Sequence, residues 1–272
     1  MEKSEQQRMS NHEILDGQHA VITGGGRGIG AAISSELAHL GATLTLMGRN
    51  LTTLNQKCKE LQEISHRPPF AVSVDVTKPD QVKKAFDTGR KKYGDPSILI
   101  NNAGAVETAP FVESDAELWR RMIEINLLST VSCIHEALPA MVKNKNGRIV
   151  NVASHAGLVG YRFVSAYCAA KHGLVGLTRS LSLEVLNQGV TVNAVCPGYT
   201  DTDLLRESIT RVAQKSGKSV SEIREKFGQA NPQRRLIQPN EVARKVAWLC
   251  LPEQQSITGQ AIEMDGGENA RS

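Results

Sequence analysis

The sequence predicts an α/β fold built on a doubly wound parallel sheet, one domain carrying a helical lid after its sixth strand. Three observations predict it. Short β-prone runs alternate with longer stretches of helical spacing, a glycine-rich turn joins the first run to the first helix, and no repeat, low-complexity block or composition shift divides the 272 residues. Residues 1–13 are expected to form a disordered tail, residues 14–272 the domain, and the stretch from about 203 to 240 its lid.

Taken in order, the runs HAVIT (19–23), TLTLM (43–47), FAVSV (70–74), SILI (97–100), GRIVNVAS (147–154) and VTVNAVC (190–196) are rich in β-branched and apolar residues, and each is of strand length. Between them, IGAAISSELAHL and VKKAFDTGRKKYG space their apolar residues helically, and Lys78-Pro79-Asp80 before the second is a helix start signal. Strands separated by helices need crossover connections, which give a parallel sheet with helices on both faces. From Asp203 to Asn240 the chain is polar and helix-prone with no evident strand. Following the sixth strand, such an insertion would stand beyond the carboxyl end of the sheet, where open α/β folds bind ligands. A substrate-covering lid is the favoured reading, an ornamental helical hairpin the competing one.

Composition narrows the function classes. Hydrophobic residues at 40% and charged residues at 22% are ordinary for a soluble globular protein, and a net charge of +4 is too small to argue for nucleic-acid binding. The five cysteines, Cys58, Cys133, Cys168, Cys196 and Cys250, form no CxxC and read as reduced core thiols, with neither a disulfide framework nor a zinc site suggested. The N-terminus MEKSEQQRMSNHE lacks the apolar stretch of a signal peptide, and no uninterrupted apolar run approaches membrane-spanning length, so no membrane association and a cytoplasmic location are expected. The sequon at Asn50 is then a chance match.

The turn after HAVIT holds Gly24, Gly25, Gly26, Gly28 and Gly30. Glycines there let a pyrophosphate approach backbone N–H groups at a helix start, where the helix dipole also favours negative charge. About 20 residues on, where NAD-binding sites present a carboxylate to the adenosine ribose, the sequence reads MGRN and offers Arg49 instead. An acid would repel a 2′-phosphate, whereas Arg49 can pair with it, and Arg27 inside the turn adds a second cation. NADP(H) is therefore expected over NAD(H). Ordinary surface arginines are the competing explanation for each position separately.

In SAYCAAKHG (165–173), Tyr167 and Lys171 stand four residues apart and so share one helix face. Alone, that pair reads as a surface lysine folded over a half-buried tyrosine. In company, the residues resemble the short-chain dehydrogenase/reductase family from His19 to Gly267: TGGGRGIG (23–30), NNAG (101–104), Asn126 in MIEINLLS, Ser154 ending the fifth strand, YCAAK (167–171) and PGYTDT (197–202), in that order and at those separations. The resemblance implies a Rossmann fold and a catalytic tetrad of Asn126, Ser154, Tyr167 and Lys171. Tyr167 would exchange a proton with substrate, Lys171, reinforced by the positive nicotinamide ring of the oxidised cofactor, would lower its pKa, Ser154 would hydrogen-bond the substrate oxygen, and Asn126 would hold a water leading to Lys171. It also implies cofactor contacts at Gly24, Arg27, Gly28, Ile29, Gly30, Arg49, Asn50, Asp75, Val76, Asn102, Ala103, Gly104, Tyr167, Lys171, Pro197, Gly198, Thr200 and Thr202. For Asp75 a helix N-cap is the competing role.

His155 and His172 adjoin these residues but lack zinc spacing, so no metal is expected, although His155 could line the substrate pocket. Lys215, Lys218, Arg224, Lys226, Arg234 and Arg235 against Glu222 and Glu225 make the lid locally basic, which suits phosphates of a coenzyme A or acyl-carrier thioester as well as it suits a plain solvated helix. The resemblance extends to 3-oxoacyl-thioester reductases and to hydroxyacyl and hydroxybutyrate dehydrogenases. A 3-oxoacyl thioester is the expected substrate. A sugar, polyol, steroid or quinone on the same scaffold is the alternative, and a non-catalytic NADP(H) sensor a remote one. Family members are commonly homotetramers or dimers, and the small residues Ala166, Ala169, Ala170, Gly173 and Gly176 would permit close helix approach.

Overall fold

Seven strands form one parallel sheet in the order β3-β2-β1-β4-β5-β6-β7 in the computed structural model, which describes residues 13–271. Apart from Glu13, which lies in a turn, the expected tail falls outside the described residues. The strands are β1 (His19–Thr23), β2 (Thr43–Gly48), β3 (Phe70–Ser73), β4 (Ile98–Asn101), β5 (Gly147–Val152), β6 (Val190–Pro197) and β7 (Ala261–Met264). The helices are α1 (Gly28–His39), α2 (Leu51–Leu61), α3 (Pro79–Tyr93), α4 (Ala116–Lys143), α5 (Ser165–Glu184), α6 (Asp203–Ser216), α7 (Val220–Ala230) and α8 (Pro239–Cys250). Six strands match the apolar runs within a residue or two. The seventh, AIEM, went unread because it is a short edge strand with half-exposed and exposed residues and no apolar run.

Each strand sends alternate side chains to opposite faces, and both faces are covered. Ala20, Ile22, Leu44, Leu46, Ile98, Ile100 and Val150 pack beneath Ile33 and Leu37 of α1 and Val242 and Val246 of α8. Their neighbours Val21, Leu99, Ile149 and Val192 face the other way, against Phe86 of α3, Cys133, Ala137 and Met141 of α4 and Leu181 of α5. Phe86 is fully buried; truncating it to Ala would cost about 3–5 kcal/mol. The most apolar part of α4 has a mean hydropathy of 1.3, and its 28 residues give it the length of a membrane span, but its buried side chains make it a core helix of the fold.

Local chemistry sets the helix starts. Asn50 accepts the Thr53 N–H at 3.0 Å to cap α2, and Asp115 accepts the Leu118 N–H at 2.7 Å to cap α4. Pro79 opens α3 as its spacing predicts. Thr202 caps α6, Gly217 ends it in the left-handed region at φ 68°, and a reciprocal Ser219–Glu222 capping box starts α7. α6 and α7 occupy the expected lid interval, closed by an isolated parallel bridge between Thr200 and Ile237 just before α8. β1 lies between β2 and β4, so the connections diverge on either side of it and leave a crevice at the strand carboxyl ends.

Candidate active site

A crevice of about 1370 Å³ opens along those carboxyl ends. Its walls include every residue singled out for catalysis or cofactor contact except Gly30. Gly30 lies beneath the turn, where a Cβ would stand 2.1 Å from the Gly24 carbonyl oxygen and 2.5 Å from Asn102 Nδ2. Only hydrogen fits there. Gly24 and Gly28 adopt φ of 65° and 55°, conformations that cost glycine nothing. Arg27 stands at the N-cap of α1 without a side-chain cap, and no acidic residue occupies the first turn, so the positive end of the helix faces the crevice uncompensated. Asn102 locks the two loops together: its Nδ2 donates to the carbonyls of Thr23 (3.0 Å) and Gly24 (3.2 Å), while Thr23 Oγ1 accepts the N–H groups of Asn102 and Ala103.

At the end near β2, Arg49 and Asn50 follow the strand and Asp75, Val76 and Lys78 face them. Asn50 spends its side chain capping α2. Asp75 Oδ1 accepts both the N–H and the hydroxyl of Thr77, at 3.0 and 2.8 Å, an Asx turn three residues ahead of the Lys78 N-cap rather than a helix cap itself. Burial works against the Asp75 carboxylate, yet the Thr77 hydrogen bonds and the Arg49 and Lys78 cations hold its pKa below the ordinary value. Arg27 Nη1 lies 3.6 Å from Glu207 of α6, so the second expected cation is shared with the lid.

At the other end Ser154, Tyr167, Lys171 and Asn126 converge. Ser154 stands two residues beyond β5 rather than in it; its hydroxyl accepts the Ala156 N–H at 3.1 Å and hydrogen-bonds Tyr167. The Lys171 ammonium lies 5.7 Å from the Tyr167 ring centroid and donates to the Val152 carbonyl at 3.0 Å. Asn126 sits in a π turn over Glu124–Leu128 of α4. Its Oδ1 accepts the Ala105 N–H (3.2 Å) and its Nδ2 donates to the carbonyls of Ala105 (2.9 Å) and Met122 (3.0 Å), so this side chain braces the loop after NNAG. Gly104 separates it from Lys171; a Cβ there would lie 2.8 Å from Asn126 Oδ1 and 3.7 Å from Lys171 Nζ. Pro197, Gly198, Thr200 and Thr202 line the β6 side, with Thr202 Oγ1 accepting the Leu205 N–H at 3.3 Å.

The electrostatics correct one expectation. Burial dominates both partners: it pushes the Tyr167 phenol up to about 12, against the Ser154 hydrogen bond, and pulls Lys171 down from 10.5 to about 8. The expected depressed phenol is therefore not produced by the protein's own groups, because desolvation outweighs a cation held at ring distance. A second correction concerns the basic lid. Lys218, Arg224, Lys226, Arg234 and Arg235 do not line the crevice, and the Lys215 side chain lies outside the described part. Arg224 forms a bidentate pair with Asp201, and Arg235 with Glu241, both carboxylates lying outside the charge run. Besides Arg27, Arg49, Lys78 and Lys171, the crevice is lined by Arg120, Arg121, Arg162 and Arg211, of which Arg120 is paired with Glu117 and Arg121 with Glu107.

Sequence reasoning also missed an aromatic wall. Tyr161, Tyr199 and Phe227, the last on α7, stack edge to face at 5.9 and 4.8 Å along the crevice. Behind Tyr161 lies His155, 1% exposed, whose Nδ1 meets the Tyr161 hydroxyl at 2.6 Å while that hydroxyl donates to Glu268 at 3.0 Å. No spacing signal joins residues 155, 161 and 268.

Residues 18–213 match the family described as short chain dehydrogenase. A D-beta-hydroxybutyrate dehydrogenase of Rhizobium meliloti is 37% identical over 93% of this chain and 98% of its own. The 3-oxoacyl-[acyl-carrier-protein] reductase FabG of Thermotoga maritima is 32% identical over 93% of this chain and 98% of its own. The crystal structure of L-sorbose reductase from Gluconobacter frateurii, complexed with NADPH and L-sorbose, superposes with a TM-score of 0.89 at 26% identity over 95% of this chain and 98% of that one. With the family match over residues 18–213 and relatives 32% and 37% identical along nearly their full length, the chain belongs to the short-chain dehydrogenase/reductase family and is an oxidoreductase.

Proposed function

We propose that this enzyme is an NADP(H)-dependent reductase of a ketone to a secondary alcohol, acting on a 3-oxoacyl thioester of coenzyme A or an acyl carrier protein. The observation that carries the reaction is the convergence of Ser154, Tyr167 and Lys171 at one end of a crevice whose other end is an uncapped, acid-free helix start. The dinucleotide fits that end: the cradle at Gly24, Gly28 and Gly30 excludes side chains, Ile29, Val76, Asn102, Ala103 and Gly104 floor it, and Arg49 with Arg27 would hold a 2′-phosphate.

When bound, the nicotinamide supplies the hydride. Tyr167, protonated across neutral pH, donates its proton to the carbonyl oxygen as that oxygen gains charge. Ser154 donates a hydrogen bond to the same oxygen, stronger as charge develops. Lys171, anchored on the Val152 carbonyl, stays largely protonated at pH 7 and stabilises the phenolate left behind. Asn126 holds the Ala105 backbone and so the wall beside Lys171. A phenol kept protonated suits reduction better than oxidation.

The substrate reading rests on an apolar wall of Tyr161, Tyr199 and Phe227 for the acyl part, with Arg162 and Arg211 on the same crevice for phosphates. α6 and α7 act as the lid over it, within a single domain. A sugar or short hydroxy acid is the second reading, favoured by the likeness to L-sorbose reductase and hydroxybutyrate dehydrogenase. NADPH oxidation against acetoacetyl-CoA, acetoacetate and L-sorbose separates them: preference for the thioester is expected, and equal or better turnover of either free compound would remove it.

A homo-oligomer, dimer or tetramer, is also part of the proposal. Leu183 is 69% exposed in line with the exposed Ala169 and Gly176 on one face of α5, and Leu128 and Leu186 are 44% and 54% exposed. Light scattering should return a multiple of 29.5 kDa; a monomer at working concentration would refute this part.

A further inference from the structure

We propose that His155, Glu263 and Asp265 form a binding site for one divalent metal ion of the zinc or manganese type, bracing the turn after Ser154 against the end of β7. This inference is independent of the substrate reading. Ligand atoms of the three side chains all lie within 4.8 Å of one another. The histidine atom facing Asp265 is Nε2, 3.5 Å from Asp265 Oδ2.

A buried, unpartnered nitrogen marks the spot. The Tyr161 hydroxyl donates to Glu268 Oε1 and meets His155 Nδ1 at 2.6 Å, and Nδ1 also lies 3.4 Å from Glu268 Oε2, so that edge of the ring is occupied. His155 Nε2 is buried, has no hydrogen-bond partner and faces the Asp265 carboxylate. A proton or a metal between nitrogen and carboxylate would join them. The distance discriminates. A charge-assisted N–H···O bond would close to about 2.7–2.9 Å. Two ligands each about 2.1 Å from a tetrahedral metal stand about 3.4 Å apart, close to the 3.5 Å observed.

The surroundings orient the oxygens as metal sites require. Asp265 Oδ1 accepts the Gly267 N–H and Oδ2 the Asn269 N–H, both at 2.9 Å, and Glu263 Oε2 accepts Asn269 Nδ2 at 2.8 Å. The left-handed Gly266 and Gly267, at φ 69° and 88°, make this turn possible. One imidazole nitrogen and two carboxylates favour zinc or manganese over the all-oxygen shells of calcium or magnesium.

The test uses the full chain carrying Cys58→Ser, which removes the one thiol that is not buried, stripped with a chelator and dialysed against zinc, manganese or magnesium chloride. Metal per chain is measured by elemental analysis and the unfolding midpoint by calorimetry. One equivalent of zinc or manganese, a raised midpoint, and affinity weakened about tenfold or more by Glu263→Gln are expected. His155→Ala should abolish binding; should that variant fail to fold, Glu263→Gln on the exposed strand edge still decides. Absence of binding at millimolar metal, or equal binding by wild type and Glu263→Gln, would overturn the site and leave an imidazolium–Asp265 pair in its place.

Discussion

Lys171→Met is the substitution whose consequences the structure fixes most closely. Lys171 is 4% exposed, and burial lowers its pKa from 10.5 to about 8. At 1.36 kcal/mol per pH unit, holding this ammonium charged costs the folded state about 3 kcal/mol. The sign follows from the protons bound. Between pH 8 and 10.5 the unfolded chain binds more, so wild-type stability rises with pH across that window and the cost is fully present below it. Methionine has similar length and no charge; it removes the cost and strands the Val152 carbonyl, a loss of about 1–3 kcal/mol. The variant should therefore match or exceed wild type in stability at pH 7 and lose that advantage by pH 10.5, while kcat for reduction falls by about 10²-fold or more. Urea unfolding at pH 7 and pH 10 with matched kinetics tests this. A variant clearly less stable than wild type by the same margin at both pH values would refute the buried-charge reasoning.

Gly30→Ala should weaken NADPH binding, because its Cβ would need more than a small shift to clear the Gly24 oxygen at 2.1 Å; overpacking of about 1–3 kcal/mol corresponds to about 5- to 150-fold in Kd. Gly160→Ala, with open space around its Cβ, is the matched control, and fluorescence titration reads both. Arg49→Ala should cost NADPH about 1.5–3 kcal/mol, about tenfold to a hundredfold, and leave NADH unchanged. Equal losses for both dinucleotides would place Arg49 elsewhere than at a 2′-phosphate.

Most of the architecture was legible because parallel strands buried on both faces are rich in apolar and β-branched residues, so β1, β2, β4, β5 and β6 announce themselves. β7 is an edge strand of four residues, three half-buried and one, Glu263, exposed, and its register comes from β6 rather than from its own sequence. The crevice was legible where the backbone does the binding, since glycine is required by geometry at Gly24, Gly28 and Gly30. Side-chain energetics were not. The charge state of Tyr167 and Lys171 depends on burial, which local sequence does not record, and the lid cations Arg224 and Arg235 lose their availability to Asp201 and Glu241. His155 shows the limit most plainly: an unpromising histidine by spacing, it meets carboxylates more than 100 residues away only once β7 has joined the sheet.

The central claim is that Tyr167 delivers the proton in a reaction whose hydride comes from the dinucleotide. Single-turnover reduction by Tyr167→Phe loaded with NADPH tests it most directly, with NADPH affinity measured alongside. The account predicts unchanged affinity and a rate lower by about 10²–10⁴-fold; a rate within a few-fold of wild type at full NADPH occupancy would contradict it.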